Sequence, residues 1–508
     1  MNPANTQNEA PIGRRMAKGA AWLVLLRLAR RIIGVANMVI MARLLVPADF
    51  GLVVLATSIF GILDVLGSMS LNLALIRMSN PTRQHYDTVW TMSLLRGAIV
   101  ALMLFALAGT LADFYAEPRL AEVLLTLGLA TLFDGLRNVG AVNFEKELAF
   151  SKTFQITMYS RLISFSVTVV LAIVLRSYWA LIIGLVVDEA AQTLMSYLYH
   201  PYRPRLSLSK WREFIHFSKW LVISNIGQFL TTKLDNFMLA KFVSATTLGH
   251  YVVAFEISNL PTTNLIGPMQ SAIFPGFAKI AHDRQQLVAN YLDAMALVLM
   301  VAVPVGVGIW LTADSLVYVM LGIKWLEAIP LLQILSLYGV ARLAYANTRA
   351  IYLALGRPNL VAYTTCGQVV VLAPILFYGV STAGAIDAAW ALVVSTLLTG
   401  LGNLYIVARM LDISWLRTLA AIWRTLVAAA GMIVAGLALR PLLPDVDGMA
   451  ASLLTLAGMI LGCGLAYVAG QGGLWLLCGR PAGAEAHVLN LLGDQVRKLR
   501  RRRGSATH

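Results

Sequence analysis

The chain has 508 residues, of which 58% are hydrophobic and only 13% charged, and its formal net charge is +15. Soluble chains are about a quarter charged, so an ordinary soluble protein is excluded. The apolar residues come in runs of about twenty, each able to cross roughly 30 Å of hydrocarbon as a helix, and the alternating pattern of a membrane barrel is absent. The sequence predicts an all-α integral membrane protein with about fourteen transmembrane helices.

Residues 1–17 are polar and show no cleavable signal pattern. The first span, 20–44, holds Arg27, Arg30, Arg31, Gly34 and Asn37, whose spacing of three and four places them on one helix face. Span two, 50–76, holds Asp64, and span three, 88–111, holds Arg96. Span four, 120–142, has Asp134, Arg137 and Asn138 on one face; span five, 153–175, has Arg161; span six, 178–199, has Asp188, Glu189 and Gln192. Lys210 to Trp220 places Trp211, Phe214 and Ile215 opposite Lys210, Arg212 and Glu213, the pattern of an interfacial helix. Simple retention of topology is the other reading of those charges.

Span seven, 217–242, carries Asn225, Gln228, Thr232 and Asp235 on one stripe, with Lys233 near its edge. Span eight, 249–275, has Glu256, Asn259 and Asn264, with Pro261 and Pro268 to bend it. Spans nine and ten, 289–311 and 327–352, are followed by 359–379, 383–408, 419–439 and 449–477. Span ten carries Arg342, Tyr345 and Arg349 on one face; Arg349, and Arg424 in span thirteen, read as arginines that snorkel to the inner interface. The tail aligns Val488, Leu491, Leu492, Val496 and Leu499 ahead of Arg500 to Arg503, an amphipathic basic pattern suited to anionic lipid.

Lysine and arginine set the orientation. With the N-terminus in the cytoplasm, inner segments hold 23 of them and outer segments 6. Both termini are therefore expected to be cytoplasmic.

An offset of 198 residues aligns Ala42-Arg43 and Phe50-Gly51 with Ala240-Lys241 and Leu248-Gly249. The same offset sets Arg27 on Asn225, Arg30 on Gln228, Gly34 on Thr232 and Asn37 on Asp235. Parallel repeats of this kind bracket a substrate site near the membrane midplane. The expected organisation is a cytoplasmic segment 1–18, an N-lobe 19–200, an interfacial linker 201–216, a C-lobe 217–410, a helix pair 411–480 and a basic tail 481–508.

A charge at the bilayer centre costs about 2.5–3.5 kcal/mol, so such residues face a cavity or each other. Arg27, Arg30, Arg31, Arg137, Arg161 and Arg342 are candidates to hold an anionic head group, because a guanidinium donates two hydrogen bonds to one phosphate. Asn37, Asn225, Gln228, Asp235 and Asn259 are candidates to line that cavity with polar groups. Asp64, Asp188, Glu189 and Glu256 are candidates for a coupling cation or for pairing with the arginines, and Asp134 with Arg137 is also compatible with an ion pair within one helix. Cys366, Cys463 and Cys478 read as small buried residues. No phosphate loop, metal spacing or catalytic constellation occurs, so no enzyme activity, cofactor, metal or nucleic acid is expected.

Several strings resemble a known family. ARLLVPADFGLVVLA at 42–56, YDTVWTMSLLRG at 86–97, LGHYVVAFEISNLP at 248–261, FPGFAKIAHDRQQL at 274–287 and YLALGRPNL at 352–360 are similar, in order and spacing, to segments of bacterial polysaccharide exporters of the multidrug/oligosaccharidyl-lipid/polysaccharide superfamily. The similarity runs over about residues 16–410 and lies nearest the colanic-acid-type and O-antigen-type exporters. It implies two six-helix lobes and a flippase for undecaprenyl-diphosphate-linked oligosaccharide in the bacterial cytoplasmic (inner) membrane, in contact with membrane lipids, with a polysaccharide polymerase and export machinery as candidate partners. The individual arginines come from stripe and depth, since cavity charges differ among members. A cation-coupled multidrug antiporter and a lipid-linked peptidoglycan precursor flippase remain the alternatives.

Overall fold

The computed structural model describes residues 12–67, 71–78, 80–261, 267–444, 448–481 and 483–486. Asn264 and the tail residues from Val488 to Arg503 lie outside them. Every element among the described residues is helical. In lipid this is forced, because a helix satisfies its own backbone polar groups and an open strand does not.

The first half runs α1 (Ile12–Leu44), α2 (Pro47–Gly67), a short α3 (Leu71–Arg77), α4 (Arg83–Tyr115), α5 (Arg119–Gly135), a short α6 (Val142–Lys146), α7 (Phe150–Leu175), α8 (Trp179–Tyr199) and α9 (Trp211–Phe242). It continues with α10 (Ala245–Pro261), α11 (Gly267–Ile280), α12 (Arg284–Met320), α13 (Ala328–Ala344), α14 (Thr348–Ala354), α15 (Pro358–Ala383), α16 (Ala385–Leu411), α17 (Trp415–Leu439) and α18 (Met449–Leu477). Each expected span overlaps a helix, but 50–76, 120–142, 249–275 and 327–352 each run past the end of one helix and into a second.

Among the described residues, ten helices are long and apolar enough to cross a membrane by length and composition. The other four expected spans fall on α1, α5, α9 and α10. Of these, α5 and α10 have only 17 residues each. At 33 and 32 residues, α1 and α9 are long enough, but their charged stripes keep them from reading as lipid-facing. The apolar helices are inside out relative to a soluble core: Leu102, Phe105, Val174 and Leu465 are exposed, as lipid contact requires.

The helices form two compact units, Met1–Gly249 and His250–His508. In the first, α4 packs on α5, α5 on α8, α8 on α7 and α7 on α1, while α2 lies against α4, α5 and α9. In the second, α12 is the hub, flanked by α13, α17 and α18, with α16 joining α13 to α15. The terminal pair α17 and α18 meets α12 through Met432, Met459, Cys463 and Tyr467.

The expected interfacial helix takes a different form. Residues 200–208 are non-helical, and Trp211 opens α9, which continues unbroken to Phe242. With no Gly before Gly227 and no Pro at all from Trp211 to Phe242, nothing in the chain stops the helix at the membrane surface. The preceding segment is an extended strap hydrogen-bonded to α4. The Asp87 carboxylate accepts from the Tyr202 hydroxyl at 2.6 Å and from the Arg205 amide at 2.8 Å. Thr91 and Thr88 hydroxyls accept from the Ser207 and Lys210 amides.

Candidate functional site

The site begins with a close helix contact. A Cβ on Gly97 of α4 would strike the Thr131 carbonyl of α5, so only glycine lets these helices approach this closely. The Thr131 hydroxyl in turn donates to the Gly97 carbonyl at 3.0 Å. The contact brings Arg96, one residue before Gly97, within reach of Asp134 on α5. The other arm of Arg96 meets Asp64 of α2 at 3.1 Å.

Arg137, just past the end of α5, extends the chain of charges. Its Nη2 lies 3.1 Å from Asp134 Oδ1 and 2.6 Å from Glu189 Oε2 on α8. One residue before Glu189, Asp188 accepts from Arg161 of α7 at 3.0 Å and from Gln192 at 3.2 Å, both on Oδ2. Five helices and the α5 terminus thus contribute to a network in which Arg96, Arg137 and Arg161 are each held by carboxylates. Such mutual neutralisation is how charges persist where water is scarce.

A cavity of about 370 Å³ opens beside this network. Its wall includes Arg96, Asp134, Arg137, Thr157, Gln192 and Asn225. With the ions paired, the hydroxyl and amide groups of Thr157, Gln192 and Asn225 share the wall with apolar side chains such as Leu71, Val142 and Ile156. Asn138 shapes one edge: it is buried, and its amide nitrogen donates to the His200 and Tyr202 carbonyls.

The structure sorts the expected residues. Arg137, Asp64, Asp188 and Glu189 belong to the network, with Arg161, and Asn225 lines the cavity. Arg27, Arg30 and Arg31 differ: among the described residues they make no ion pair, and Arg27 and Arg30 are exposed. Arg31 keeps Nε and Nη2 buried with no hydrogen-bond acceptor, and Asn37, two turns on, keeps Oδ1 buried without a donor. They lie on α1, which packs on α7 through Trp22 and Phe154, ring centroids 4.8 Å apart. Gln228 is exposed and Asp235 is buried, both on α9. Asn259 is buried on α10 and donates to its own helix at Phe255. Glu256 and Arg342 are exposed and belong to the second unit.

Two features escaped the reading of the sequence. Arg96 and Asp134 are central to the network, yet their partnership spans 38 residues and depends on the Gly97 contact. Arg424 does not snorkel: it forms a bidentate pair with Glu485, at 2.8 and 3.1 Å, and Gln471 donates to the same carboxylate at 3.0 Å. The partner lies 61 residues away, beyond the last span, so depth alone gave no sign of it.

Comparison with known proteins agrees with this architecture. Residues 40–330 match the family described as polysaccharide biosynthesis protein. The chain is 26% identical over 414 residues to the lipopolysaccharide biosynthesis protein WzxC of Escherichia coli (strain K12), covering 80% of this chain and 83% of that one. It is 23% identical over 326 residues to the succinoglycan biosynthesis transport protein ExoT of Rhizobium meliloti (strain 1021), covering 64% and 66%. The structure of the lipid II flippase MurJ in an inward closed conformation superposes with a TM-score of 0.71 at 14% identity, over 90% of this chain and 100% of that one. The long match, the helical architecture and the order of the resembling segments agree: this chain belongs to the polysaccharide biosynthesis protein family.

Proposed function

We propose that this multi-pass membrane protein is a flippase that moves polyprenyl-diphosphate-linked oligosaccharide, an exopolysaccharide or O-antigen repeat unit, across the bacterial cytoplasmic membrane by alternating access. The single observation that carries the reading is the sorting of the arginines. Arg96, Arg137 and Arg161 are matched by carboxylates, whereas Arg27, Arg30 and Arg31 on α1 make no ion pair among the described residues. Three unmatched guanidinium groups on one intramembrane stripe call for an external anion, and a diphosphate is the anion this family's cargo carries.

In this reading the α1 arginines, with Arg342 as a further donor, hold the diphosphate. The cavity wall at Thr157, Gln192 and Asn225, with Asn37, Gln228, Asp235 and Asn259, hydrogen-bonds sugar hydroxyls. The polyprenyl tail stays in lipid. Two six-helix lobes, 19–200 and 217–410, rock to expose the site on alternate faces, with both termini cytoplasmic. The carboxylates Asp64, Asp188, Glu189 and Glu256 supply any ion coupling. The protein performs no bond chemistry, and a polymerase and export machinery take over the product.

A drug antiporter for cationic compounds needs an acidic cavity, which the unmatched arginines oppose. A deletion strain tests the proposal. Lipid-linked oligosaccharide should accumulate with its sugars on the cytoplasmic side, and export should return with the wild-type chain but not with the Arg30→Ala, Arg31→Ala double variant. Normal export from the deletion strain would sink the assignment.

A further inference from the structure

The repeat at an offset of 198 has a physical counterpart. Pro47 to Gly51 opens α2, and Ala245 to Gly249 opens α10. Under the offset Pro47 corresponds to Ala245 and Gly51 to Gly249. In the structure these two turns touch each other reciprocally. A Cβ on Gly51 would collide with the Ala245 carbonyl oxygen, and a Cβ on Gly249 would collide with the Pro47 carbonyl oxygen. Exchanging the two repeats returns the same contact, so it sits on a local two-fold axis.

Each turn is made rigid from within. The Asp49 carboxylate accepts from the Val46 amide at 3.4 Å, and the Ser244 hydroxyl accepts from the Thr247 amide at 3.2 Å. Pro47, Gly51, Leu248 and Gly249 are all buried. Deeper along the same seam, Asn236 of α9 donates to the Ser58 hydroxyl of α2 at 3.3 Å, and Phe229 lies over Gly61. Ser58 is only 2% exposed.

The chemistry of the contact is that of a seal that opens. Backbone-on-carbonyl contacts through Cα–H groups are individually weak, and small residues let helices in lipid approach without a locked side chain. No ion pair joins the four residues. We propose that the α1–α2 and α9–α10 turns form a two-fold glycine seal on the non-cytoplasmic side, which parts and reforms in every transport cycle, and that glycine is required at both 51 and 249 for it to close. This rests on the transport reading above and on the expected orientation.

The test uses the full-length chain with Cys366, Cys463 and Cys478 replaced by Ser and a reporter, Ser58→Cys, behind the seal. Spheroplasts are treated with a membrane-impermeant maleimide. With both glycines present the reporter should label slowly. Gly51→Val or Gly249→Val should raise labelling about tenfold, the size of a shift from a mostly closed to a mostly open population, and lower export in proportion. Gly109→Val is the control, because Gly109 is exposed and a Cβ there meets nothing. Should the valine variants not reach the membrane, Gly51→Ala and Gly249→Ala replace them. Unchanged labelling in variants that reach the membrane overturns the seal. So does failure of the alanine variants to assemble, since the glycines would then serve folding alone. Labelling involves no cargo, so the seal can fail while the flippase assignment stands, and the accumulation assay decides the latter separately.

Discussion

Arg137 and Glu189 meet at 2.6 Å, although one follows the end of α5 and the other lies in mid-α8. Because Arg137 also serves Asp134 at 3.1 Å, it is shared between two carboxylates. Removing the arginine strands Glu189 while Asp134 keeps Arg96, whereas neutralising Glu189 leaves Arg137 paired with Asp134. Arg137→Ala should therefore destabilise the protein by about 2 kcal/mol, the scale of a lost charge-assisted hydrogen bond, and Glu189→Gln by clearly less. Thermal unfolding in detergent measures both, and an equal loss in the two variants would contradict the shared geometry.

Paired and unpaired arginines should fail in different ways. Arg161→Ala leaves Asp188 without its cation and should lower the unfolding temperature. The Arg30→Ala, Arg31→Ala double variant removes no ion pair seen among the described residues, so it should unfold normally yet lose export. Its affinity for undecaprenyl diphosphate should fall by roughly tenfold to a hundredfold, as expected for one or two charge-assisted hydrogen bonds. Binding of the purified variant at wild-type strength would remove these residues from the site.

Arg424 and Glu485 make the most buried ion pair among the described residues of the second unit, with side chains 13% and 10% exposed. Loss of one partner from such a pair costs about 3–5 kcal/mol, while replacing both with apolar residues costs far less. Arg424→Ala should therefore lower the unfolding temperature more than the double variant Arg424→Met, Glu485→Met. Truncation after Ala486 should be tolerated and truncation before Glu485 should not. Folded yield in the membrane reads out both expectations.

The strap after α8 should loosen in acid. Burial holds the His200 pKa below its ordinary value of 6.5, and His200 Nδ1 accepts from the Tyr202 amide at 3.1 Å. A histidine with a depressed folded-state pKa contributes stability that is complete above the unfolded value and is lost as pH falls through the folded one. The protection of the Tyr202 amide, its exchange relative to the intrinsic rate at each pH, should accordingly fall as pH drops below about 6.5. His200→Gln should lower that protection at neutral pH and leave it nearly constant over this range; a fall in acid persisting in the variant would assign it to another group.

The helices were legible because apolar runs of span length admit one structure in lipid, and the polar stripes were legible because spacings of three and four select a face. Pairing was not. Depth and face say that Arg96 and Asp134 lie within the membrane, but their contact depends on α4 and α5 touching at Gly97, a tertiary fact. The segment from Lys210 to Trp220 shows a related ambiguity, since one amphipathic pattern suits a surface helix and the first turns of a long span alike. The repeat at 198 was the most informative signal, because its residues Gly51 and Gly249 proved to be contact points.

The length of α9 has a mechanical meaning. Its 32 residues form one rod of about 48 Å. One end is fastened to α4, where His85 meets Glu213 at 3.1 Å, and the other is fastened to α2 at Ser58 and to the α4 terminus through Lys241 and Phe114. A stiff beam pinned at both ends cannot tilt at one without loading the other. The strap at one end of α9 and the glycine turns at the other are thus joined by a lever, and a disturbance at either fastening is carried along the whole rod.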